Sequence, residues 1–272
     1  MKIGFVILNY KTYQMTLDLI DRIRNRITNL CYEIIVIDNA SDSESAKKLS
    51  EWTERYNFIE NTSNSCYAAG NNIGIRYEVD EGDEYVLVMN NDIDIPSEDV
   101  IIKMLCLMEQ NKKIAAVSPR IVDGQGKHDP PIYFRKPTYY DLTFGIFRFQ
   151  KERFQFDEYK NSPVYAPRGS FMLLRSSAMK DVDYLDEHTF LYYEEPILAE
   201  RLNRKGYECW HCGETEVIHN HAVTISTTFT KNNMARNVCK SYKYYLTEYR
   251  HYNFLLTSIC LGIRYLAIMI RR

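Results

Sequence analysis

The chain lacks any apolar run of about 20 residues, the length that a helix needs to cross a bilayer. Its longest apolar stretch, residues 254–270, is shorter and contains Arg264 in its middle. No secretory signal is evident at the start, because the apolar residues Ile3–Leu8 are few and are followed by Asn9 and Lys11. We therefore expect a protein that does not span the membrane and that works in the cytoplasm.

Two glycine-rich phosphate-binding loops are also missing. A dinucleotide-dependent oxidoreductase would carry G-x-G-x-x-G after its first strand. A sugar nucleotidyltransferase would carry a glycine-rich loop with Arg or Lys there, but residues 9–12 read Asn-Tyr-Lys-Thr. The seven cysteines are odd in number and form no disulfide framework, which fits a reducing compartment. The oxidoreductase class is therefore disfavoured, and the nucleotidyltransferase stays only as an alternative.

A net positive charge is found only toward the C-terminus. After residue 230 the chain carries eight Lys and Arg residues against one acid, Glu248, a net charge of +7. The whole chain has a formal charge of −2, so residues 1–230 carry −9. Aromatic residues are interspersed with the basic ones, at Tyr242, Tyr244, Tyr245, Tyr249, Tyr252 and Phe254. Residues 231–272 therefore resemble a helical tail that lies on an anionic membrane surface, with docking on the body or on a partner as the alternative. Because residues 254–270 are apolar, we expect no nucleic-acid partner.

Short apolar runs alternate with amphipathic segments in the first half of the chain. The predicted strands are Ile3–Leu8, Glu33–Asp38, Phe58–Glu60, Tyr85–Met89 and Ala115–Pro119. The predicted helices are Thr12–Ile27, Ser41–Arg55, Asn71–Tyr77 and Val100–Gln110. Alternation of this kind, with nearly continuous apolar strands, predicts an α/β domain with a mostly parallel sheet flanked by helices.

The second half is less regular. Residues 124–168 are rich in Pro, Tyr and Phe and predict a long excursion over the active face. The remaining predicted elements are a strand over Val164–Arg175 kinked at Gly169-Ser170, a helix over Glu194–Lys205, and strands over Tyr207–Trp210 and Glu216–His219. We expect residues 1–230 to form one domain and residues 231–272 to be its tail.

Oxygen-rich side chains follow the buried strand Tyr85–Met89. They are Asn90, Asn91, Asp92 and Asp94, and Pro96 prevents the strand from continuing. The carboxyl ends of strands are where open α/β sheets bind ligands, and carboxylates and amides suit Mg²⁺ or Mn²⁺. The alternative is a polar β-turn whose side chains satisfy backbone groups.

Seven segments in this order resemble the nucleotide-sugar glycosyltransferases of family 2, and most closely their rhamnosyltransferase-like branch. The segments are VILNYK (6–11), IIVIDNASD (34–42), NSCYAAGNNIGI (64–75), YVLVMNNDIDIP (85–96), RGSFMLLRSSAM (168–179), LDEHTFLYYEEPILAERLNRKGY (185–207) and VIHNHAVTIS (217–226). The resemblance implies the GT-A fold, with a Rossmann-like sheet, and a donor that is a nucleoside-diphosphate sugar linked to TDP or UDP.

The resemblance assigns a donor site and a metal site. The residues implied in nucleotide-sugar binding are Asn9, Tyr10, Asp38, Asn39, Asn64, Gly70, Asn71, Asn91 and Gly169. The implied ligands of Mn²⁺ or Mg²⁺ are Asp92, Asn90 and Asp94, with His219 or His221 from another strand end. Simpler interpretations remain open, since Asp38 and Asn71 also suit helix-capping positions and the histidines suit a strand end.

The resemblance further implies a general base at the start of a helix, where the chain has Glu194-Glu195. Glu195 stands where the family usually has Asp, so it is the candidate base and Glu194 its rival. Asp186, Glu187 and Arg168 are expected to contact acceptor or sugar hydroxyls or to order their loops. Residue 197, commonly an acid in the family, is Ile here. That departure leaves open a non-catalytic binding protein.

The sequence therefore predicts an inverting, metal-dependent hexosyltransferase, with rhamnose as one possible sugar. Its acceptor would be a hydroxyl of a glycan or of a polyprenol-linked glycan, used in cell-surface polysaccharide synthesis. The expected location is the inner face of the cell membrane, to which residues 231–272 would bind peripherally. A homodimer is compatible with the sequence.

Overall fold

The structure is a computed structural model, and it describes residues 2–147, 156–220 and 231–270. The strands are β1 (Ile3–Asn9), β2 (Tyr32–Asp38), β3 (Asn57–Glu60), β4 (Tyr85–Asn90), β5 (Ile93–Asp94), β6 (Ile114–Val122), β7 (His128–Asp129), β8 (Ser162–Val164), β9 (Phe171–Arg175) and β10 (Glu208–His219). The helices are α1 (Tyr13–Arg26), α2 (Ser43–Ser50), α3 (Cys66–Asp80), α4 (Asp99–Gln110), α5 (Tyr139–Thr143), α6 (Ser176–Asp181), α7 (Glu194–Arg204), α8 (Lys231–Tyr244) and α9 (Phe254–Ile270). A 3₁₀ turn (Phe144–Phe147) follows α5, and a π-helical turn (Tyr245–Tyr249) follows α8.

One sheet organises the described part of the chain, in the order β3-β2-β1-β4-β9-β6-β10-β5. Strands β1, β2, β3, β4, β6 and β10 run in the same direction, while β9 lies antiparallel between β4 and β6. The predicted α/β sheet flanked by helices is confirmed. Because most strands share one direction, their carboxyl ends meet at one edge, where ligands of such sheets bind.

The sheet is buried on both faces. One apolar cluster packs α1 and α4 against it and includes Phe5, Leu19 and Met104. A second packs α3, α6 and α7 against the other face and includes Val6, Ile75 and Leu198. This two-sided burial explains why the strands are nearly continuous apolar runs in the sequence.

Three predicted boundaries are wrong. Helix α3 begins at Cys66, not at Asn71, so it starts earlier than predicted. A Cβ on Gly70 would lie 2.7 Å from Leu8 Cδ1, so the small residues there serve close packing of α3 on β1. The predicted strand Val164–Arg175 is divided between β8 and β9. The two short strands after Gly206 are one strand, β10, with an irregularity between Cys212 and Glu216.

The tail packs on the body. A third apolar cluster joins Leu142 and Ile197 of the body to Tyr242, Tyr245 and Cys260 of the tail. The Asp186 carboxylate, on the loop before α7, accepts hydrogen bonds from the hydroxyls of Tyr244 (3.0 Å) and Tyr249. Two surfaces of the tail therefore differ, because the outer side of α9 exposes Leu255 and Leu266 while its inner side contacts the body.

Among the helices of the described ranges, none combines the length and apolar content that crossing a membrane would require.

Candidate active site

The turn after β4 brings a carboxylate to a histidine. Strand β5 pairs antiparallel with the end of β10, and His219 lies opposite Ile93 in that register. The pairing places His219 Nε2 3.1 Å from Asp92 Oδ1, and the backbone N–H of Asn220 donates to the Asp92 carbonyl at 3.1 Å. Two residues far apart in sequence therefore form one pair of oxygen and nitrogen donors at the carboxyl edge of the sheet.

The Asp92–His219 pair has the donor chemistry of a divalent metal site. Carboxylate oxygen and imidazole nitrogen both bind Mn²⁺, and a diphosphate supplies further oxygens when it is present. Within residues 2–147, 156–220 and 231–270, no group of three His, Cys, Asp or Glu side chains is arranged to hold an ion alone. The pair therefore fits a metal that is shared between protein and diphosphate. His221, the other predicted histidine, lies outside the described residues.

Asp94 faces different partners from Asp92. Its carboxylate lies 2.5 Å from Arg26 Nη1 and 3.2 Å from Arg22 Nε, both on α1. The two arginines neutralise Asp94 and fix the turn to α1. We therefore leave Asp94 out of the metal site that we propose below.

Helix α7 presents two carboxylates at its first turn. Tyr192 and Tyr193 precede it with φ angles of 73° and 74°, a left-handed conformation that costs about 1–3 kcal/mol at each non-glycine residue. The Tyr193 ring stacks on Tyr242 with centroids 5.0 Å apart, and the Ser241 hydroxyl donates to the Leu191 carbonyl at 2.9 Å. The tail thus stabilises the strained backbone from which the acid pair starts.

Burial perturbs both carboxyl groups. Burial, and then the charge of the neighbouring Glu195, raise the pKa of Glu194 to about 8. Burial also raises the pKa of Glu195, against the opposing effects of its own backbone N–H and of Arg168. Glu194 Oε1 has no hydrogen-bond partner among the described residues. A carboxylate pair of raised pKa in a concave site has the properties expected of a general base.

Gly169 makes room for Glu195. A Cβ at this position would lie 2.9 Å from Glu195 Oε1, and the Gly169 N–H donates to that oxygen at 3.1 Å. The Tyr67 hydroxyl donates to the Gly169 carbonyl at 2.7 Å. The predicted kink at Gly169-Ser170 therefore orients Glu195 in the structure.

A cavity of about 460 Å³ joins these groups. The residues that line it include Asn90, Gly169, Glu194, Glu195, His219 and, from α9, Arg264. Its other lining residues are Tyr67, Asp129, Ile132, Tyr133, Arg168, Ser170, Leu191, Tyr192, Tyr193 and Pro196. The cavity thus brings the acid pair into one space with His219, whose Nε2 lies 3.1 Å from the Asp92 carboxylate.

The ends of β1 and β2 form a buried polar network beside the cavity. Asn9 Nδ2 donates to Asp38 Oδ1 at 2.6 Å, and the Ser41 backbone N–H and hydroxyl donate to the same carboxylate at 2.9 and 2.7 Å. Asn91 donates to the hydroxyls of Thr12 and Thr16 at 2.7 and 2.9 Å. These side chains position the turns around them, and a nucleotide contact with Asp38 would have to exchange the Ser41 hydrogen bonds.

The residues at the start of α3 behave in a similar way. Asn39 Nδ2 donates to Asn64 Oδ1 at 3.1 Å, and the Ser65 N–H donates to Asn39 Oδ1 at 3.0 Å. Asn71 is buried and donates to the Tyr67 carbonyl at 2.9 Å. The neighbouring Tyr10 stays half-exposed at the end of β1, with Lys11 Nζ 5.2 Å from its ring centroid. Tyr10 is thus accessible to a base or ribose, while the asparagines shape the surface around it.

The remaining predicted residues order loops. Glu187 accepts hydrogen bonds from Asn72 at 2.7 Å and from Arg76 at 3.0 Å. Asp186 holds the tail, as described above. Arg168 pairs with Asp129 and donates to the Pro130 carbonyl at 2.6 Å, so it lines the cavity with its charge already neutralised. For Asp186 and Glu187 the structure favours the loop-ordering alternative over sugar contact.

The sequence did not identify Tyr67, Tyr193 and Arg264 as cavity residues. Tyr67 lies beside the small residues Ala68, Ala69 and Gly70, and Tyr193 lies in an aromatic run. Arg264 stood out only as a charge that interrupts an apolar stretch. The one sequence signal that could have identified Arg264 is its spacing, because it places a charged residue on the face of an amphipathic helix that is otherwise buried.

Comparison with known proteins shows what the chain resembles. A family model described as glycosyl transferase family 2 matches residues 5–182. The low-salt glycan biosynthesis hexosyltransferase Agl10 of Haloferax volcanii is 32% identical over 227 residues, which cover 81% of this chain and 68% of that protein. The dTDP-rhamnosyl transferase RfbF of Shigella flexneri is 34% identical over 103 residues, which cover 38% of this chain and 33% of that protein.

Solved structures resemble the fold at low sequence identity. GalNAc-T7, crystallised with UDP, GalNAc and Mn²⁺, matches 92% of this chain and 49% of its own with a TM-score of 0.68 and 13% identity. The mannosyltransferase PcManGT from Pyrobaculum calidifontis, in complex with GDP-Man and Mn²⁺, matches 97% of this chain and 73% of its own with a TM-score of 0.63 and 12% identity. The chain thus spans about half of GalNAc-T7 and a third of RfbF.

Proposed function

Since the chain belongs to glycosyl transferase family 2 and has the GT-A fold expected from its sequence, we propose that this glycosyltransferase is an inverting enzyme that depends on a divalent metal. Its donor would be a nucleoside-diphosphate sugar, and its acceptor a hydroxyl of a glycan or lipid-linked glycan. The observation that carries the proposal is the single cavity that contains both His219 and the pair Glu194 and Glu195.

The donor half of the site would lie at the carboxyl ends of β1, β2 and β4. Tyr10 offers an accessible ring, and the network of Asn9, Asp38 and Asn39 fixes the turns that surround it. Asp92 and His219, with Asn90 beside them, would hold Mn²⁺ or Mg²⁺. The metal supplies positive charge that stabilises a departing diphosphate.

Glu195 would act as the general base. Its Oε1 is oriented by the Gly169 N–H at 3.1 Å, so its carboxylate has a fixed position in the cavity wall. It would take the proton of the acceptor hydroxyl while the acceptor oxygen bonds to the anomeric carbon. The bond from that carbon to the diphosphate oxygen breaks, with its electron pair on the diphosphate, and the configuration inverts.

The proposal for the sugar and for its nucleotide carrier comes from the relatives. RfbF is named a dTDP-rhamnosyl transferase, and the structural neighbours were crystallised with UDP or GDP-Man. We propose a TDP- or UDP-linked hexose, with rhamnose included, used to build a cell-surface polysaccharide. Agl10, named for glycan biosynthesis, supports a glycan acceptor.

A thermal-unfolding panel tests the donor site. UDP, TDP and GDP, and their common sugar derivatives, are each added with and without Mn²⁺. Binding to the native state alone raises its stability by about 2.7 kcal/mol at a hundredfold excess over Kd. We expect one nucleotide to raise the melting temperature in a Mn²⁺-dependent way. Absence of any shift across the panel, with protein that melts cooperatively, would contradict the proposal.

The exposed side of α9 is proposed to lie on the cytoplasmic face of a membrane. Phe254, Leu255, Leu266 and Ile270 expose 87, 66, 59 and 72% of their area. With the surplus of basic residues in the tail, this apolar face has the composition of an interfacial helix. It would place the cavity close to a lipid-anchored acceptor.

Vesicle sedimentation tests the membrane proposal. The protein is expected to sediment with phosphatidylglycerol vesicles and to bind phosphatidylcholine vesicles more weakly. Leu266→Asp should weaken binding roughly tenfold, since a buried leucine contributes about 1.5–3 kcal/mol. Trp52→Asp, at an exposed aromatic side chain on the body, is the matched control and should bind like the wild type. Equal binding by Leu266→Asp and the wild type would refute membrane contact through α9.

A further inference from the structure

Arg264 points inward from a helix that is otherwise apolar. Thr257, Cys260 and Ala267 are the buried residues of α9, and Arg264 lies between Cys260 and Ala267 at helical spacing on the same side. The guanidinium reaches the wall of the active-site cavity. An apolar tail helix thus delivers one cation to the reaction space.

The Arg264 charge lacks a counter-ion among the described residues. Its guanidinium carbon lies 5.9 Å from the ring centroids of Tyr193 and Tyr242, and its Nε has no hydrogen-bond partner there. Burying a charge without a partner is costly, and cation–π contacts offset only part of that cost. An anionic ligand would complete this environment.

The other basic groups of the cavity, and Glu195, already have partners. Arg168 pairs with Asp129, His219 lies beside Asp92, and Glu195 accepts the Gly169 N–H. None of these pairs includes Arg264. An anion that enters the cavity from the side of α9 would therefore contact Arg264, a cation without a counter-ion among the described residues.

We propose that Arg264 binds a phosphate group of the acceptor. The proposal rests on the transferase function proposed above and adds the chemical class of the acceptor. A guanidinium presents several N–H donors in a planar fork, which matches phosphate oxygens better than an ammonium does. The outer side of the same helix is apolar, so the phosphate that binds there is expected to carry a lipid chain.

Calorimetry tests the subsite with the donor site filled by Mn²⁺ and the nucleoside diphosphate that gives the thermal shift. The probes are farnesyl phosphate, uncharged farnesol and glycerol phosphate. Farnesyl phosphate should bind the wild type, and Arg264→Met should weaken that binding roughly ten- to a hundredfold, as expected for a lost charge-assisted hydrogen bond. Arg264→Lys, which keeps the charge, should lose less. Farnesol should bind wild type and Arg264→Met alike.

Lys243→Met is the matched control, because Lys243 is an exposed tail cation that does not line the cavity. It should bind farnesyl phosphate like the wild type. Equal binding by Arg264→Met and wild type, or an equal loss in Lys243→Met, would overturn the proposal. Glycerol phosphate is expected to bind more weakly than farnesyl phosphate. If it binds as tightly, and if that binding depends on Arg264, the phosphate subsite stands but the proposal that the phosphate carries a lipid chain is overturned.

The nucleotide shift separates this inference from the proposed function. If the wild-type protein shows no nucleotide-dependent thermal shift, the proposed transferase function is contradicted, whatever the result for Arg264. A normal shift in Arg264→Met shows that the variant is folded and binds donor, so a loss of farnesyl phosphate binding then reports on the subsite. If Arg264→Met does not fold, Arg264→Lys carries the test, and an affinity equal to that of the wild type would then count against a guanidinium–phosphate contact.

Discussion

Glu195→Gln is expected to lower the turnover of sugar transfer by roughly 10²–10⁴-fold, the range of a removed general base. The amide keeps the shape of the side chain and can still accept the Gly169 N–H, so the cavity wall is preserved. Donor affinity should change little, because the nucleotide site that we propose lies at the carboxyl ends of β1, β2 and β4 and not on α7. The measurement is kcat for transfer together with the Mn²⁺-dependent thermal shift of the nucleotide.

Glu194→Gln is the matched control for this experiment. It removes the neighbouring carboxylate and leaves Glu195 on Gly169, so its loss of kcat should be much smaller. If Glu194→Gln is the variant that loses turnover, the base is Glu194 and the assignment here is reversed. Full transfer by both variants would exclude the acid pair as the source of the base. Nucleotide binding without transfer, in the wild type itself, would favour the non-catalytic binding protein.

If the acid pair supplies the base, it should also determine the pH dependence of transfer. A base must be deprotonated, and the pKa values of both carboxyl groups are raised by burial, that of Glu194 to about 8. The rate should therefore fall with decreasing pH at a higher pH than for an ordinary glutamate, whose pKa is about 4.3. A kcat profile that is flat from neutral pH down to about 5 would contradict a base of raised pKa.

Asp92→Asn is expected to abolish the metal-dependent part of nucleotide binding and to lower transfer roughly 10²-fold or more. Neutralising the carboxylate removes the charge that would hold the cation beside His219, and a metal contributes several kcal/mol of charge stabilisation. The nucleotide should retain its weaker, metal-independent affinity. The measurement is the thermal shift with and without Mn²⁺, followed by kcat at saturating Mn²⁺.

Asp94→Asn provides the control from the same turn. It makes an identical chemical change two residues away, but its carboxylate pairs with Arg22 and Arg26. The metal response should persist, and only a small loss of stability is expected from these part-exposed ion pairs. If Asp94→Asn loses the metal response and Asp92→Asn keeps it, the metal ligand is Asp94, which the sequence resemblance also implied as a ligand.

The alternation of strands and helices was predictable because each strand is buried on both faces. A strand that is buried on both faces has a nearly continuous apolar sequence, and such a run can be found from the hydrophobic pattern alone. The start of α3 was not predictable, because the small residues Ala68, Ala69 and Gly70 resemble a loop in sequence. Their small size in fact serves the contact with Leu8, which no local pattern discloses.

The candidate site was predictable where one residue type carries the chemistry. Asp92, His219, Glu194 and Glu195 came from motifs, and the structure brings three of them to one cavity wall and Asp92 beside His219. Partners in space were not predictable. Asp94 forms ion pairs with Arg22 and Arg26, and Asp186 accepts hydrogen bonds from tail tyrosines. Both pairings depend on the packing of elements that are distant in sequence, so the sequence does not disclose them.

The antiparallel strand β9 affects how the protein is made on the ribosome. It pairs with Tyr85–Met89 on one side and with Ala116 and Val117 on the other, although residues 171–175 are synthesised long after both. Until β9 emerges, the facing edges of two apolar strands have no partner between them, and unpaired edges of this kind promote association between chains. Because α9, which supplies Arg264, follows β9 in the sequence, the cavity is completed only after β9 has been made. A nascent chain of this protein therefore has to protect its central sheet well before it has an active site.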